Sequence, residues 1–332
     1  MSVKIGRQAF VGVGIESIAG TAVAASKYLP FVTCTLRGMQ EAITDEAAKG
    51  VREKVWGAVV GKKHGEGDIE IYADVENAPY LLYPAFGVCS SATASGETAV
   101  FEHTITRKTG NPPKTMTVIY NDTMDTRKYT YGVVNTLELT VSDGLATISA
   151  SVLSKFPATG TGTQAVTEEK VLAFKDYTIK FGSGATGTAA LSAAAIATAT
   201  PVRSFTLKVN NNAEVQYLSG TNDATQIAMG QLEIDGEYTL FYESTTQRIH
   251  YETLLNGSDP VKAMIITFSG DSIGVAETEE IEIRIPNFYL KERGVDTAVA
   301  GFITENPSFV AKYDPTEAKS IQIKITNTTA SY

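Results

Sequence analysis

Alternation with a period of two runs through most of the chain. Asp68-Ile69-Glu70-Ile71-Tyr72, Thr136-Leu137-Glu138-Leu139-Thr140-Val141 and Ala146-Thr147-Ile148-Ser149-Ala150 place polar and apolar side chains in turn. Gln231-Leu232-Glu233-Ile234, Glu280-Ile281-Glu282-Ile283-Arg284-Ile285 and Ser320-Ile321-Gln322-Ile323-Lys324-Ile325 do the same. Successive side chains of a strand point to opposite faces, so such runs bury one face and wet the other. Their β-branched residues and tyrosines suit a pleated surface. Ser142-Asp143-Gly144, between two of the runs, predicts a hairpin turn. The pattern predicts a mainly β protein. Ile69, Ile71, Leu137, Leu139, Leu232, Ile234, Ile281, Ile283 and Ile285 go to the core.

Helical spacing predicts two short helices. Residues 74–87 put Ala78, Leu81, Leu82, Ala85 and Phe86 on one side, with Asp74 to cap the start and Gly87 to end it. Pro79 and Pro84 shorten or break that helix. Residues 244–257 group Ile249, Leu254 and Leu255, with Ser244 or Thr245 as cap and Gly257 as terminator.

The two halves resemble each other. Cys34-Thr35-Leu36-Arg37 is similar to Phe205-Thr206-Leu207-Lys208, and a long polar stretch follows each (38–65 and 209–229). Gly67-Asp68-Ile69-Glu70-Ile71 is similar to Gly230-Gln231-Leu232-Glu233-Ile234. A helix and further strands follow in both halves. The order strand, long loop, strand, helix, strands therefore occurs twice, which predicts an internal duplication. Residues 158–163 are rich in Gly and Thr and mark a boundary. The prediction is two tandem β-sandwich or half-barrel domains, 1–160 and 161–332, each with one short helix. The second carries an Ala/Thr/Gly-rich loop near 183–200. Open sheet edges in such domains invite pairing with another chain, and a ring of subunits closes them into a β-barrel.

Composition narrows the function. At 332 residues and 43% hydrophobic, the chain can bury a core without disulfides. Cys34 and Cys89 have no CxxC partner and read as reduced, partly buried residues. The formal net charge of −9 argues against a protein that grips nucleic acid, although an acidic wall can let nucleic acid slide past. No apolar run is long enough for a signal peptide or a membrane helix, which places synthesis in a cytoplasm and predicts no membrane partner.

Catalytic patterns are missing. His64, His103 and His250 lack metal-ligand spacing. Gly61-Lys62-Lys63-His64-Gly65 lacks the phosphate-loop pattern and reads as a solvated basic turn. Gly12-Val13-Gly14-Ile15-Glu16-Ser17 lacks the third glycine of a dinucleotide fingerprint and reads as a loop. Asp68/Glu70 and Glu280/Glu282 sit at i, i+2 and read as solvated strand faces, not a glycosidase pair. The expectation is no enzyme, no cofactor and no metal. Trp56 lies among Val55, Val59 and Val60 in a basic loop and suits either core or contact surface.

Several of these segments resemble the tail tube (major tail) proteins of siphophages. The likeness begins at Val13-Gly14-Ile15-Glu16-Ser17-Ile18-Ala19-Gly20-Thr21-Ala22-Val23-Ala24 and Lys27-Tyr28-Leu29-Pro30. It continues through Gly65-Glu66-Gly67-Asp68-Ile69-Glu70 and Tyr131-Gly132-Val133-Val134-Asn135. Arg203 to Asn211, Glu282-Ile283-Arg284-Ile285-Pro286 and Ile323-Lys324-Ile325-Thr326-Asn327 extend it over nearly the whole chain. The resemblance implies a structural virion protein, assembled in the host cytoplasm into stacked rings whose inner wall is a β-barrel. It implies as partners the protein itself, a tape measure protein, tail terminator and tail-tip proteins, and DNA that passes without specific binding.

Combined with the duplication, this predicts a trimeric ring that imitates six subunits. A hexamer with the second half on the outside is the alternative. Asp68, Glu70, Glu138, Glu233, Asp235, Glu280 and Glu282 are the candidate lumen-facing residues. The loops 40–63 and 210–228 are assigned to ring stacking, with Glu41, Asp45, Arg52, Lys54, Trp56, Lys62, Tyr217, Asn222 and Asp223 as candidate contacts. A surface adhesin or decoration β-sandwich, or a carbohydrate-active jelly roll, are the competing classes.

Overall fold

The computed structural model describes residues 4–47, 49–50, 52–183, 199–241, 246–258, 262–297 and 301–332. The first half contains β1 (Phe10–Ile15), β2 (Lys27–Leu29), β3 (Thr33–Cys34), β4 (Arg37–Asp45), β5 (Gly57–Tyr72) and helix α1 (Pro79–Phe86). It goes on with β6 (Gly87–Thr93), β7 (Phe101–Arg107), β8 (Met116–Asn121), β9 (Thr126–Val141), β10 (Thr147–Ser154) and β11 (Ala158–Thr159). The second half holds β12 (Tyr177–Ser183), β13 (Ala199–Thr200), β14 (Ser204–Asn210), β15 (Glu214–Gln216), β16 (Gln226–Ala228), β17 (Glu233–Phe241) and helix α2 (Thr246–Leu255). It ends with β18 (Lys262–Ile273), β19 (Glu277–Ile285), β20 (Phe288–Asp296), β21 (Thr304–Ala311) and β22 (Gln322–Asn327). Among the described residues the protein is mainly β with two short α-helices, arranged as sandwich-like sheets.

The large sheet holds a continuous belt. Its order is β3/β4–β5–β10–β9 from the first half, then β14–β17–β21–β20 from the second. The halves meet where β9 pairs with β14, setting Leu139 opposite Leu207 and Glu138 opposite Lys208. The smaller sheet has the order β13–β12–β18–β19–β22–β7–β6, so the C-terminal strand β22 joins the hairpin of one half to that of the other. One apolar core runs between the sheets. Ile69, Ile71, Leu81, Val141 and Ile148 from the first half share it with Phe205, Met264, Ile283, Phe309 and Ile325 from the second. Each such side chain contributes about 1.5–3 kcal/mol on full burial.

The two four-strand sets match position by position. Leu36 lies against Gly67, Gly67 opposite Val152, and Val152 opposite Val134. Leu207 lies opposite Gly236, Gly236 opposite Phe309, and Phe309 opposite Leu290. A side chain on Gly67 would meet the Leu36 backbone at 2.6 Å, and one on Gly236 the Thr206 carbonyl at 2.3 Å, so both ladders need glycine here. One extra residue then bulges from each following strand, Asn135 in β9 and Lys291 in β20. α1 packs on β9 and α2 on β20.

Three sequence expectations shift. Gly236, not Gly230, holds the ladder position of Gly67. Alternation repeats every two residues and cannot by itself choose between registers six residues apart. The segments 12–15 and 61–65 are strand, not loop or turn, because β1 pairs with β8 and β5 with β4. The first helix begins at Pro79, where the missing N–H costs nothing. Asp74 instead caps the preceding turn, accepting from the Glu76 and Asn77 N–H groups at 3.0 and 2.6 Å. Gly87 ends α1 with φ 95°, and Gly257 follows α2 with φ 81°. The proposed caps Ser244 and Thr245, and residues 184–198 of the Ala/Thr/Gly-rich loop, lie outside the described residues.

Candidate assembly surfaces

The belt has one apolar face and one largely polar face, the latter carrying a small apolar cluster of Tyr131, Val133 and Leu153 against Ile227 at the β9/β10 end. Asp68 and Glu70 on β5, Glu138 on β9, and Glu233 and Asp235 on β17 all stand on the polar face. Glu237 joins them, a residue that the sequence pattern did not single out. Hydroxyls fill the space between. Ser149 lies between Glu70 and Glu138, Ser151 opposite Asp68, and Thr206 between Thr140 and Glu237. Lys208 stands in the same row, opposite Glu138 at 3.8 Å and beside Asp235. Glu70 accepts from Thr33 Oγ1 at 2.8 Å.

Glu280 and Glu282 do not share this face. They sit on β19 in the smaller sheet, in a polar groove with Glu102, Thr104, Arg284 and Lys324. Glu282 is paired with Arg284. Burial, and then the neighbouring Glu282 charge, push the Glu280 carboxyl above its ordinary value. The seven candidate acids are therefore divided five and two between the sheets.

The loop 40–63 is a β-hairpin arm. Its two strands, β4 and the start of β5, pair with each other beyond Gly38, with a bridge from Lys63 to Asp223 at the root, and most of their residues are exposed. Ile43 and Val59 lie directly opposite one another, 54% and 69% exposed, with Val55 and Trp56 also exposed near the tip. An isolated two-stranded hairpin is marginal in water, and an apolar stripe along it needs a covering surface. Local charges support the tip. Lys49 pairs with Asp45 and lies 5.4 Å over the Trp56 ring, and Lys54 pairs with Glu46 at 3.3 Å. The Lys49 hydrogen bond and the Ala47 N–H hold the Asp45 carboxyl below its usual range. Glu41 covers Gly61, and Arg52 is exposed.

The second assigned loop, which carries the β15–β16 hairpin, is folded against the root of this arm. Lys63 N–H donates to the Asn222 carbonyl at 2.8 Å, and Asn222 Nδ2 donates to the Val60 carbonyl at 3.0 Å. Lys63 Nζ reaches Asp223 at 3.0 Å. Tyr217 bonds His64 Nδ1 at 2.9 Å and lies under Lys62 Nζ at 5.0 Å. Tyr217, Asn222 and Asp223 thus buttress the arm within the chain. His64 is a partly buried member of that joint.

A family model described as phage tail tube protein matches residues 6–326. The chain belongs to the phage tail tube protein family. No curated protein matches it. As a tail tube protein it is a structural component of the virion tail. Among the described residues no group of His, Cys, Asp and Glu is arranged to hold a metal, and no helix is long and apolar enough to cross a membrane. Cys34 and Cys89 are free and half-buried, and burial pushes the Cys34 thiol up to about 12.

Two polar clusters of this tail tube protein carried no signal in the sequence. Glu305 is fully buried and paired with Arg293, whose side chain is 12% exposed. The buried Tyr238 hydroxyl is close enough for the Glu305 charge to raise its pKa, after burial itself. Far from this, the C-terminal residues are tied to the first half. Glu76 accepts from Thr328 N–H, Thr328 Oγ1 and Thr329 Oγ1 at 2.9, 2.7 and 2.6 Å. His103 donates from Nε2 to the Thr329 carbonyl at 2.8 Å, so its Nδ1 accepts from Ser91 at 2.8 Å. Burial holds the His103 pKa below its ordinary value.

Proposed function

We propose that this chain is the ring-forming subunit of a siphophage tail tube. Three copies make one ring with pseudo-sixfold symmetry, and the tandem halves of the chain arose by duplication. The observation that carries the proposal is the belt. Its two four-strand sets share the same order, the same glycine position and the same bulge, and they are already joined edge to edge through β9 and β14.

Strand arithmetic supports three copies. Neighbouring strands lie about 4.8 Å apart and tilt by roughly 40° in a closed barrel. One belt closed on itself would fill with side chains, as barrels of about eight strands do. Three belts give about 24 strands and a backbone diameter on the order of 45 Å, which leaves a lumen that fits a DNA duplex. Six belts would roughly double that width.

In the ring the polar face of the belt lines the lumen. Asp68, Glu70, Glu138, Glu233, Asp235 and Glu237 then give a wall of hydroxyls and carboxylates that repels phosphate, so DNA passes without adhering. The same lumen holds the tape measure protein during assembly. The arm around Ile43, Val59 and Trp56 stacks one ring on the next, and the terminator and tip proteins meet the two free ends of the stack. Glu280 and Glu282 face outward on the smaller sheet.

Electron microscopy of the concentrated protein tests this proposal. Hollow tubes are expected from the intact chain. Soluble, folded subunits without tubes are expected when residues 46–56 are replaced by a short turn. Dispersed intact protein, or tubes that survive loss of the arm, would count against it.

A further inference from the structure

The belt ends in two open edges, β20 on one side and β3/β4 on the other. We infer that these edges pair between copies in one specific register, the register of the internal β9–β14 junction. This inference rests on the ring reading above and adds to it the residues that meet.

The internal junction supplies a template. β14 residues Thr206, Leu207 and Lys208 lie opposite Thr140, Leu139 and Glu138. Beyond the ladder, the Asn211 N–H donates to the carbonyl of the bulged Asn135 at 2.8 Å. Each of these residues has a counterpart at the open edges. Leu36 shares the position of Leu207, because each lies against the glycine of its own ladder. Thr35, Arg37 and Gln40 therefore stand for Thr206, Lys208 and Asn211. On the other edge the bulges align Lys291 with Asn135. Counting from them, Gly294, Val295 and Asp296 stand for Glu138, Leu139 and Thr140. The predicted ladder sets Leu36 opposite Val295, Arg37 opposite Gly294 and Thr35 opposite Asp296, with Gln40 at the Lys291 bulge.

The chemistry of the edges agrees. Val295 is 40% exposed, although its counterpart Leu139 is buried, so a partner strand is what would complete its burial. Gly294 leaves open space, its nearest contact being the Asn306 carbonyl at 3.8 Å from a Cβ. Arg37 would enter that space with Glu292 and Asp296 as diagonal neighbours, both within reach of a long side chain. The internal junction places Lys208 against Glu138 in the same row.

Arg293 also fits. It holds the position of Leu137, and its partner Glu305 that of Ile148. The half whose edge is covered within the chain carries aliphatic residues there. The half whose edge stays open carries a buried ion pair. An inward-pointing charge on an edge strand discourages indiscriminate pairing. The β20 edge is thereby kept for a partner that matches it in register.

Cysteine pairing tests the register. In a background with Cys34 and Cys89 replaced by Ala, Arg37→Cys with Gly294→Cys puts two thiols directly opposite, within disulfide reach. Oxidised tubes should give covalent dimers and trimers on a denaturing gel, and nothing larger if the ring holds three. The displaced pair Arg37→Cys with Glu292→Cys should cross-link at least tenfold less. Equal or better linkage of the displaced pair overturns the register. Linked species up to six copies, with the first pair still preferred, overturn the ring number and leave the register standing. A side-chain-resolution map of wild-type tubes reads the same ladder without substitutions: Leu36 opposite Val295 is expected, and any other residue there overturns the inference. If no tubes form, the assembly proposal and the register fall together.

Discussion

The two halves of the belt share one strand order and differ most in charge at one pair of positions. Leu137 and Ile148 in the first half are buried aliphatics beside a junction that the chain itself closes. Arg293 and Glu305 hold the same ladder positions in the second half, beside an edge that the chain leaves open. Under the proposed ring, equal backbone with unequal side chains means that the fold sets strand order, while what each edge must meet sets side-chain choice. A covered junction can be sealed with apolar surface. An open edge needs protection until its partner arrives.

Breaking the ion pair should have the largest effect. Arg293→Ala leaves Glu305 buried without its partner and should cost about 3–5 kcal/mol in urea unfolding of the unassembled subunit. Replacing both members by the residues of the first half, Arg293→Leu with Glu305→Ile, should be neutral or stabilising. It should also raise aggregation of unassembled subunits, measured by light scattering. A double variant as unstable as Arg293→Ala, or one that stays fully dispersed, would remove the contrast between the halves.

The next contrast compares counterparts directly. Leu139→Ala at the closed junction should cost about 2–5 kcal/mol. Val295→Ala at the open edge should cost less than about 0.5 kcal/mol in the isolated subunit while slowing tube formation. Equal costs in the subunit would show that β20 is already covered.

A smaller effect is expected at the C-terminal tie. The folded protein holds His103 neutral and lowers its pKa, so the unfolded chain takes up a proton more readily as pH falls. Stability should decline below about pH 6.5 and level off once His103 itself protonates in the folded state. His103→Gln should lose about 1–2 kcal/mol at neutral pH through its hydrogen bonds and flatten part of that decline. An unchanged slope would place the pH sensitivity elsewhere. The smallest effect belongs to the arm's buttress. Asp223→Ala removes a half-exposed ion pair and should cost less than about 1 kcal/mol. Its effect on tube yield should exceed its effect on subunit stability.

Much of the fold was legible in the chain. Alternation located the core residues Ile69, Ile71, Leu137, Leu139, Ile281, Ile283 and Ile285, all buried. Glycines marked both helix ends. Register was less legible, since a pattern of period two fits equally well after any even shift, and the run after Gly230 alternates as well as the run after Gly236. The arm hid as a loop because both of its strands are exposed and lack an apolar partner face. Glu280 and Glu282 alternate like the belt acids, and the pairing of β19 with β18 and β22 assigns them to the other sheet. The C-terminal tie joins groups 252 residues apart, and no local motif signals such a contact.

The rotational symmetry of assembled tubes tests the central claim most directly. Electron cryomicroscopy of tubes from the intact chain should show rings of three subunits, with six near-equal strand junctions around the lumen and the carboxylates of Asp68, Glu70, Glu138, Glu233 and Asp235 facing inward. Rings of six subunits, or a lumen lined by a different face of the belt, would contradict it.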